Sequence, residues 1–358
     1  MIHYKKTILA SVLTIGVITT LFLNANKVAT PKQHQTMPIH QLWHKIAHQE
    51  KPTAINRQEK LDLFEKTIQA ALNENNKIPK KKNDIFRILS YNVHFLKDSN
   101  NKPSEHTILH SIEKINPDVA VLQELYVEDS NAFEHNTTAL QKKLKKLGYQ
   151  TILGCKTYKN QAFKAGDWFG NVIISKIKPQ KSKSVSFESQ LKERGEERCY
   201  IYTQLMIPQL EQPLEIIGTH LEVSDPTEEY RLAQIKEILA FPFCTKNVLI
   251  AADFNAVRKQ DYDYTINKQS GWDLVIQENK AALNRTTPTL VLDELHNKKY
   301  TDSFSQLGWH GPHFTTWSGT SIDFIMLAPT WHLPLAGSYV YYSNASDHLP
   351  IIMDIKLK

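Results

Sequence analysis

Apolar residues fall into two regimes along this chain. An uncharged, mostly apolar stretch runs from Thr7 to Leu23, and residues 24–83 are then polar with little β character. Within them, His40 to His48 and Gln58 to Asn73 place apolar residues at helical spacing, among them Leu61, Leu63, Phe64, Ile68 and Leu72. Pro79 and the run Lys80-Lys81-Lys82 mark a boundary. From Asp84 onward, short apolar runs alternate with a few helical patterns. Strands are predicted over 86–93, 118–122, 149–153, 171–175, 200–206, 214–221, 248–252, 322–327, 339–343 and 350–355. Helices are predicted over 107–115, over 132–147 closed by Gly148, and over 227–241 followed by Pro242. Many strands with helices interspersed predict two sheets packed face to face with helices outside. Polar clusters at adjoining strand ends would then meet on one rim.

The start of the chain changes the expected location more than the fold. Lys5 and Lys6 precede the stretch 7–23, the pattern of an export signal. A full transmembrane helix needs about 20 residues, so the stretch is marginally short for one. Leu23-Asn24-Ala25 is a poor cleavage site, which leaves a cleaved signal and a retained anchor both open. The expected organisation is a signal peptide or signal anchor over 1–23, a polar, partly helical stalk over 24–83, and a catalytic domain over 84–358. That domain is expected outside the cytoplasm, periplasmic or extracellular, or attached to a membrane through residues 7–23. The three cysteines (Cys155, Cys199, Cys244) show no metal-ligand spacing, and one disulfide plus a thiol or three thiols both remain open. A net charge of +6 supports a polyanionic substrate only weakly. The run from Lys142 to Lys146 reads as a solvated helix face, and His34, His40, His44 and His48 as surface spacers.

The chemistry lies in polar residues at the ends of the apolar runs. Asn92 follows Leu89-Ser90-Tyr91, Glu124 follows the run 119–122, and Asn171 follows Gly170. His220 lies in Thr219-His220-Leu221, Asp253 and Asn255 stand two apart, and Asp323 precedes the final cluster Ser346-Asp347-His348. On an extended segment Asp253 and Asn255 would point the same way, although Asp and Asn also favour turns. Acids, amides and histidines delivered from several strand ends suit metal-assisted attack on a phosphate ester. A phosphodiester repels hydroxide unless a cation neutralises it, and Mg²⁺ is held by one or two carboxylates with its waters.

In this order the blocks resemble the endonuclease/exonuclease/phosphatase superfamily, from Asp84 to the end of the chain. The resemblance implies an α/β (α+β) four-layer sandwich, two mixed β-sheets flanked by helices, that hydrolyses phosphoesters with a divalent metal, usually Mg²⁺, with Mn²⁺ as a possible substitute. It implies that Glu124 and Asn92 lie at the metal, and that Asp347 sits at the metal or leaving group. Asp253 would activate water with Asn255 orienting it, while His348, supported by Asp323, and His220 would stabilise charge on the phosphoryl oxygens. Asn171 matches a substrate-side block of the family; Arg231 and Arg198 are candidate phosphate contacts for substrate binding, with a surface ion pair as the alternative for each. The family usually has glycine where this chain has Ala252. His94 stands where apurinic endonucleases carry an acid, which disfavours that activity. The expected substrate is nucleic acid. The alternative is a phospholipid head group, as for a lipid phosphodiesterase or phosphoinositide phosphatase, with Trp168, Phe169 or Trp331 dipping into a bilayer. A non-catalytic scaffold of the same fold is the least favoured.

Overall fold

The computed structural model describes residues 78–159, 164–190, 196–225, 227–258, 289–309, 315–316 and 321–357. The expected leader over 1–23 and nearly all of the expected stalk lie outside them. One sheet contains β1 (Ile85–Asn92), β2 (Val119–Val127), β3 (Thr151–Lys156), β5 (Trp168–Ser175), β13 (Leu335–Val340) and β14 (Ile351–Lys356). Their order is β13-β14-β1-β2-β5-β3, with β1 and β2 parallel at the centre. The other contains β6 (Lys181–Ser186), β8 (Cys199–Leu205), β9 (Leu214–His220), β10 (Asn247–Asp253), β11 (Thr301–Asp302) and β12 (Asp323–Leu327). Its order is β11-β12-β10-β9-β8-β6, again with a parallel central pair, β9 and β10. A ribbon of β4 (Tyr158–Lys159) and β7 (Glu196–Glu197) stands beside them.

Strand alternation explains the layering. Ile88, Val121 and Ile173 from the first sheet and Ile216, Leu249 and Ile325 from the second share one buried cluster between the sheets. Intervening residues such as Leu89 and Leu122 pack outward on α1 (Glu105–Ile115), α2 (Ser130–Glu134) and α3 (Ala139–Lys146). On the other side, Ile217 and Ile250 pack on α4 (Glu229–Leu239) and α5 (Leu290–Asn297). Each fully buried aliphatic side chain contributes roughly 1.5–3 kcal/mol. The result is the four-layer sandwich.

Several elements depart from the sequence pattern. The helix predicted over 132–147 is two helices, because Asn136 takes a left-handed φ of 61° and Thr138 begins a new helix with a capping box to Gln141. The strand predicted to stop at Leu122 continues to Val127. β6 carries no apolar alternation because it is an exposed edge. Cys155 and Cys199 form a disulfide that joins β3 to β8 across the two sheets, and Cys244 is free and exposed. Trp168 and Phe169, considered as membrane contacts, are buried. At the end of β1 opposite Asn92, buried Arg87 makes two bonds of 2.7 Å to Asp354.

Candidate active site

The same alternation that aims Ile88 inward aims Asn92 inward, and so too Asp253 after Leu249 and Ala251. The sheets approach closely nearby: a side chain on Gly218 would come within 2.7 Å of Val121. Register then sets the polar residues side by side, with Asp253 opposite His220 on β9 and opposite Asp323 on β12. Asn92 bridges the sheets, donating from Nδ2 to Asp253 Oδ2 at 2.9 Å and to Glu124 Oε1 at 3.1 Å.

Glu124 reaches this point through a β-bulge. Leu122 pairs with Val172 and Leu125 with Gly170, so Gln123 and Glu124 together oppose Asn171. Glu124 has a left-handed φ of 55°. Without the bulge its side chain would share the outward face with Leu122. Asn255 likewise departs from the extended arrangement: its φ is 47°, and its N–H donates to Asp253 Oδ1 at 2.9 Å. A turn, not strand alternation, brings the two together. Ala252 lies in regular strand without a positive φ, so the missing glycine strains nothing.

His348 lies against two acids of the second sheet. Its Nδ1 is 2.9 Å from Asp323 Oδ2 and its Nε2 is 3.7 Å from Asp253 Oδ2. Burial alone would lower its pKa, but the charges of Asp323 and Asp253 and the Asp323 hydrogen bond outweigh it and hold the imidazole well above its usual range. Burial and then the charge of Asp323 push Asp253 up to about 6, against the pull of His348 and the bonds from Asn92 and Asn255. Thr315, which the sequence did not single out, donates from Oγ1 to Asp323 Oδ2 at 2.6 Å. Ser346 clamps the last block to β1 by donating from Oγ to the Asn92 carbonyl at 2.8 Å.

His220 stands 3.6 Å from Asp253 Oδ2 and 3.9 Å from Glu124 Oε1, with Arg198 Nη1 3.2 Å from its Nδ1 and the Asn255 amide 2.8 Å from its Nε2. Arg198 is buried, with Glu222 3.8 Å away. Two of the expected substrate contacts make internal hydrogen bonds. Asn171 donates to the Cys199 carbonyl between the sheets, at 3.0 Å. Arg231 is a buried residue of α4, donating to the Glu222 carbonyl at 2.9 Å and standing 3.6 Å from Glu228.

Two groupings could hold a divalent cation. Asp253, Asp323 and His348 offer atoms within 4.8 Å of one another. Within that group, however, the His348 Nδ1 proton is directed at Asp323, and a protonated imidazole cannot ligate. Glu124, Asn92 and Asp347 form the other grouping and offer the hard oxygens that suit Mg²⁺ or Mn²⁺. Burial first, and then the charge of Asp347, raises the pKa of Glu124. Two carboxylates repelling each other at a partly buried rim are what a cation would offset, so this grouping fits the ion better.

The family model described as "Endonuclease/Exonuclease/phosphatase family" matches residues 89–348. No curated protein matches the chain. Among solved structures, an endonuclease/exonuclease/phosphatase from Beutenbergia cavernae is similar at 18% identity, over 76% of this chain and 72% of that one, with a TM-score of 0.57. The human Nocturnin catalytic domain with bound sulfate is similar at 18% identity, over 77% and 95%, with a TM-score of 0.51. A family protein from Leptotrichia buccalis is similar at 16% identity, over 76% and 99%, with a TM-score of 0.51. At these identities the likeness is one of fold.

Proposed function

The chain belongs to the endonuclease/exonuclease/phosphatase family of phosphoester hydrolases, and on that basis we propose an exported, Mg²⁺-dependent phosphodiesterase that cleaves nucleic acid. The observation that carries this reading is the pairing of two opposite proton states in one buried rim. His348 is held charged by Asp323, while Asp253, 3.7 Å away, is pushed up to about 6, where a carboxylate becomes a useful base.

The residues divide the work accordingly. Glu124, Asn92 and Asp347 would hold the cation, which when bound supplies charge neutralisation at the phosphate. Asp253 takes a proton from the attacking water, held in place by Asn92 and the Asn255 N–H. His348 donates Nε2–H to a phosphoryl oxygen, and Asp323 keeps that imidazole oriented and charged. His220 lines the same rim with Arg198 behind it. Export is supported by the Cys155–Cys199 disulfide, since such bridges persist in oxidising compartments. Nucleic acid is favoured over a lipid head group because Trp168 and Phe169 are core residues. The exposed lysines of α3 also offer charge to a polyanion.

The test is incubation of the protein, with Mg²⁺ or with EDTA, against plasmid DNA, RNA, sphingomyelin and a phosphoinositide panel. Metal-dependent cleavage of DNA or RNA is expected. EDTA-insensitive turnover would overturn the metal requirement, and cleavage of the lipids alone would overturn the substrate.

A further inference from the structure

Beside the site, His94, Phe95 and Leu96 form a run of left-handed non-glycine residues, with φ of 41°, 57° and 60°. Such a conformation persists only where the surroundings enforce it, and it gathers at functional sites. Here the His94 N–H donates to Asn92 Oδ1 at 3.0 Å and Leu96 N–H to the Val93 carbonyl at 2.8 Å. Lys97 N–H reaches the His94 carbonyl at 2.9 Å, and Ser104 N–H the Leu96 carbonyl at 2.8 Å. The turn places His94 Nδ1 3.6 Å from Asp347 Oδ1.

That nitrogen is buried and has no hydrogen-bond partner. With its proton on Nδ1, the imidazole is a buried donor that faces one carboxylate without reaching it. That carboxylate is 43% exposed and accepts a long bond of 3.3 Å from Ser346 Oγ. Buried donors left unmet in a folded protein call for a missing acceptor.

We propose that Asp347 docks onto His94 Nδ1 when a divalent cation binds, so that His94 positions it as a metal ligand. The movement is small: closing 3.6 Å to an ordinary hydrogen bond needs a shift on the order of 0.8 Å. His94 donates to the carboxylate, and its remaining lone pairs turn toward Glu124. The left-handed run is what holds the imidazole in place for this. The proposal rests on the reading that the cation sits between Glu124 and Asp347.

The experiment is Mn²⁺ titration of the full chain followed by electron paramagnetic resonance, without substrate. His94→Asn keeps a residue that tolerates the left-handed backbone, and His94→Gly removes the side chain at no cost to that conformation. Each is expected to weaken Mn²⁺ binding by roughly 10- to 100-fold, the usual effect of losing a group that supports a metal ligand. Neither should weaken binding further once Asp347→Asn is present. If Asp347→Asn weakens binding and neither supporting variant does, the docking idea is overturned while the cation site stands. A wild-type chain that binds no Mn²⁺ would overturn both. Melting curves identify a variant that fails to fold, and the other His94 variant then carries the test by itself.

Discussion

Asp323→Asn keeps the shape of the site and removes one charge. The lost carboxylate oxygen lies 2.9 Å from His348 Nδ1. At an effective dielectric of 20, two unit charges that close attract by on the order of 6 kcal/mol before solvation is counted. Breaking a buried pair costs about 3–5 kcal/mol net, which is roughly two or more pKa units on the histidine. Burial, which lowers the His348 pKa, remains in the variant. The imidazole should therefore fall to, or below, its ordinary value of about 6.5. Asp253 moves the same way, since the Asp323 charge is the second cause of its rise to about 6. Catalysis needs Asp253 ionised and His348 protonated. The wild type should show an acid limb near 6 and a base limb well above neutrality. In the variant both limbs shift down, and at pH 8 kcat/KM should drop by up to about 10⁴-fold, the loss seen when an acid that orients a catalytic histidine is neutralised. The assay is kcat/KM against bis(p-nitrophenyl) phosphate across about pH 5 to 9 at saturating Mg²⁺. A base limb that stays where it is in the wild type would refute the claim that Asp323 charges His348.

Other outcomes follow from the same geometry. The Cys155–Cys199 bridge closes a sequence separation of 44 residues, so replacing both with serine should cost about 4 kcal/mol in a urea titration; an unchanged midpoint would count against the bridge. In the metal-free protein Asp253 binds its proton more tightly folded, about 6, than unfolded, about 3.9, so stability falls as pH rises through that window, by about 3 kcal/mol. Asp253→Asn should flatten that slope in melting experiments, and an equally steep slope would assign it to other groups. Arg87→Met strands the buried Asp354 carboxylate and should cost at least about 3 kcal/mol while leaving KM unchanged, since Arg87 lies at the far end of β1; a changed KM would contradict that placement.

The central strands were readable because their inward and outward positions are both apolar, and the polar residue ending each run marked the rim. β1, β9, β10 and β12 fall within about one or two residues of their predicted bounds, within ordinary boundary error. What the sequence hid depends on partners distant along the chain. β6 is a strand because it pairs with β8, and its lysine and serine pattern carries no periodic signal of burial. Thr315 matters through Asp323, a contact between loop and strand with no motif of its own. Asn171 and Arg231 are polar residues in plausible blocks, yet their hydrogen bonds run to backbone carbonyls of Cys199 and Glu222, a destination no spacing reveals. Asn255 reached its neighbour by a left-handed turn, where alternation had suggested an extended strand.

The bulge at Glu124 ties two selective pressures to one backbone feature. Straightening the strand with both Gln123 and Glu124 kept would turn Leu125, buried beneath the helices, toward the opposite face. A substitution that erases the carboxylate's aim in that way also expels a core leucine and shifts the pairing of β2 with β5. Straightening of the bulge would thus be removed by selection for a folded protein before selection on activity had to act. A lineage could still lose the chemistry by exchanging Glu124 for another side chain, but it could not easily lose the position from which that side chain points.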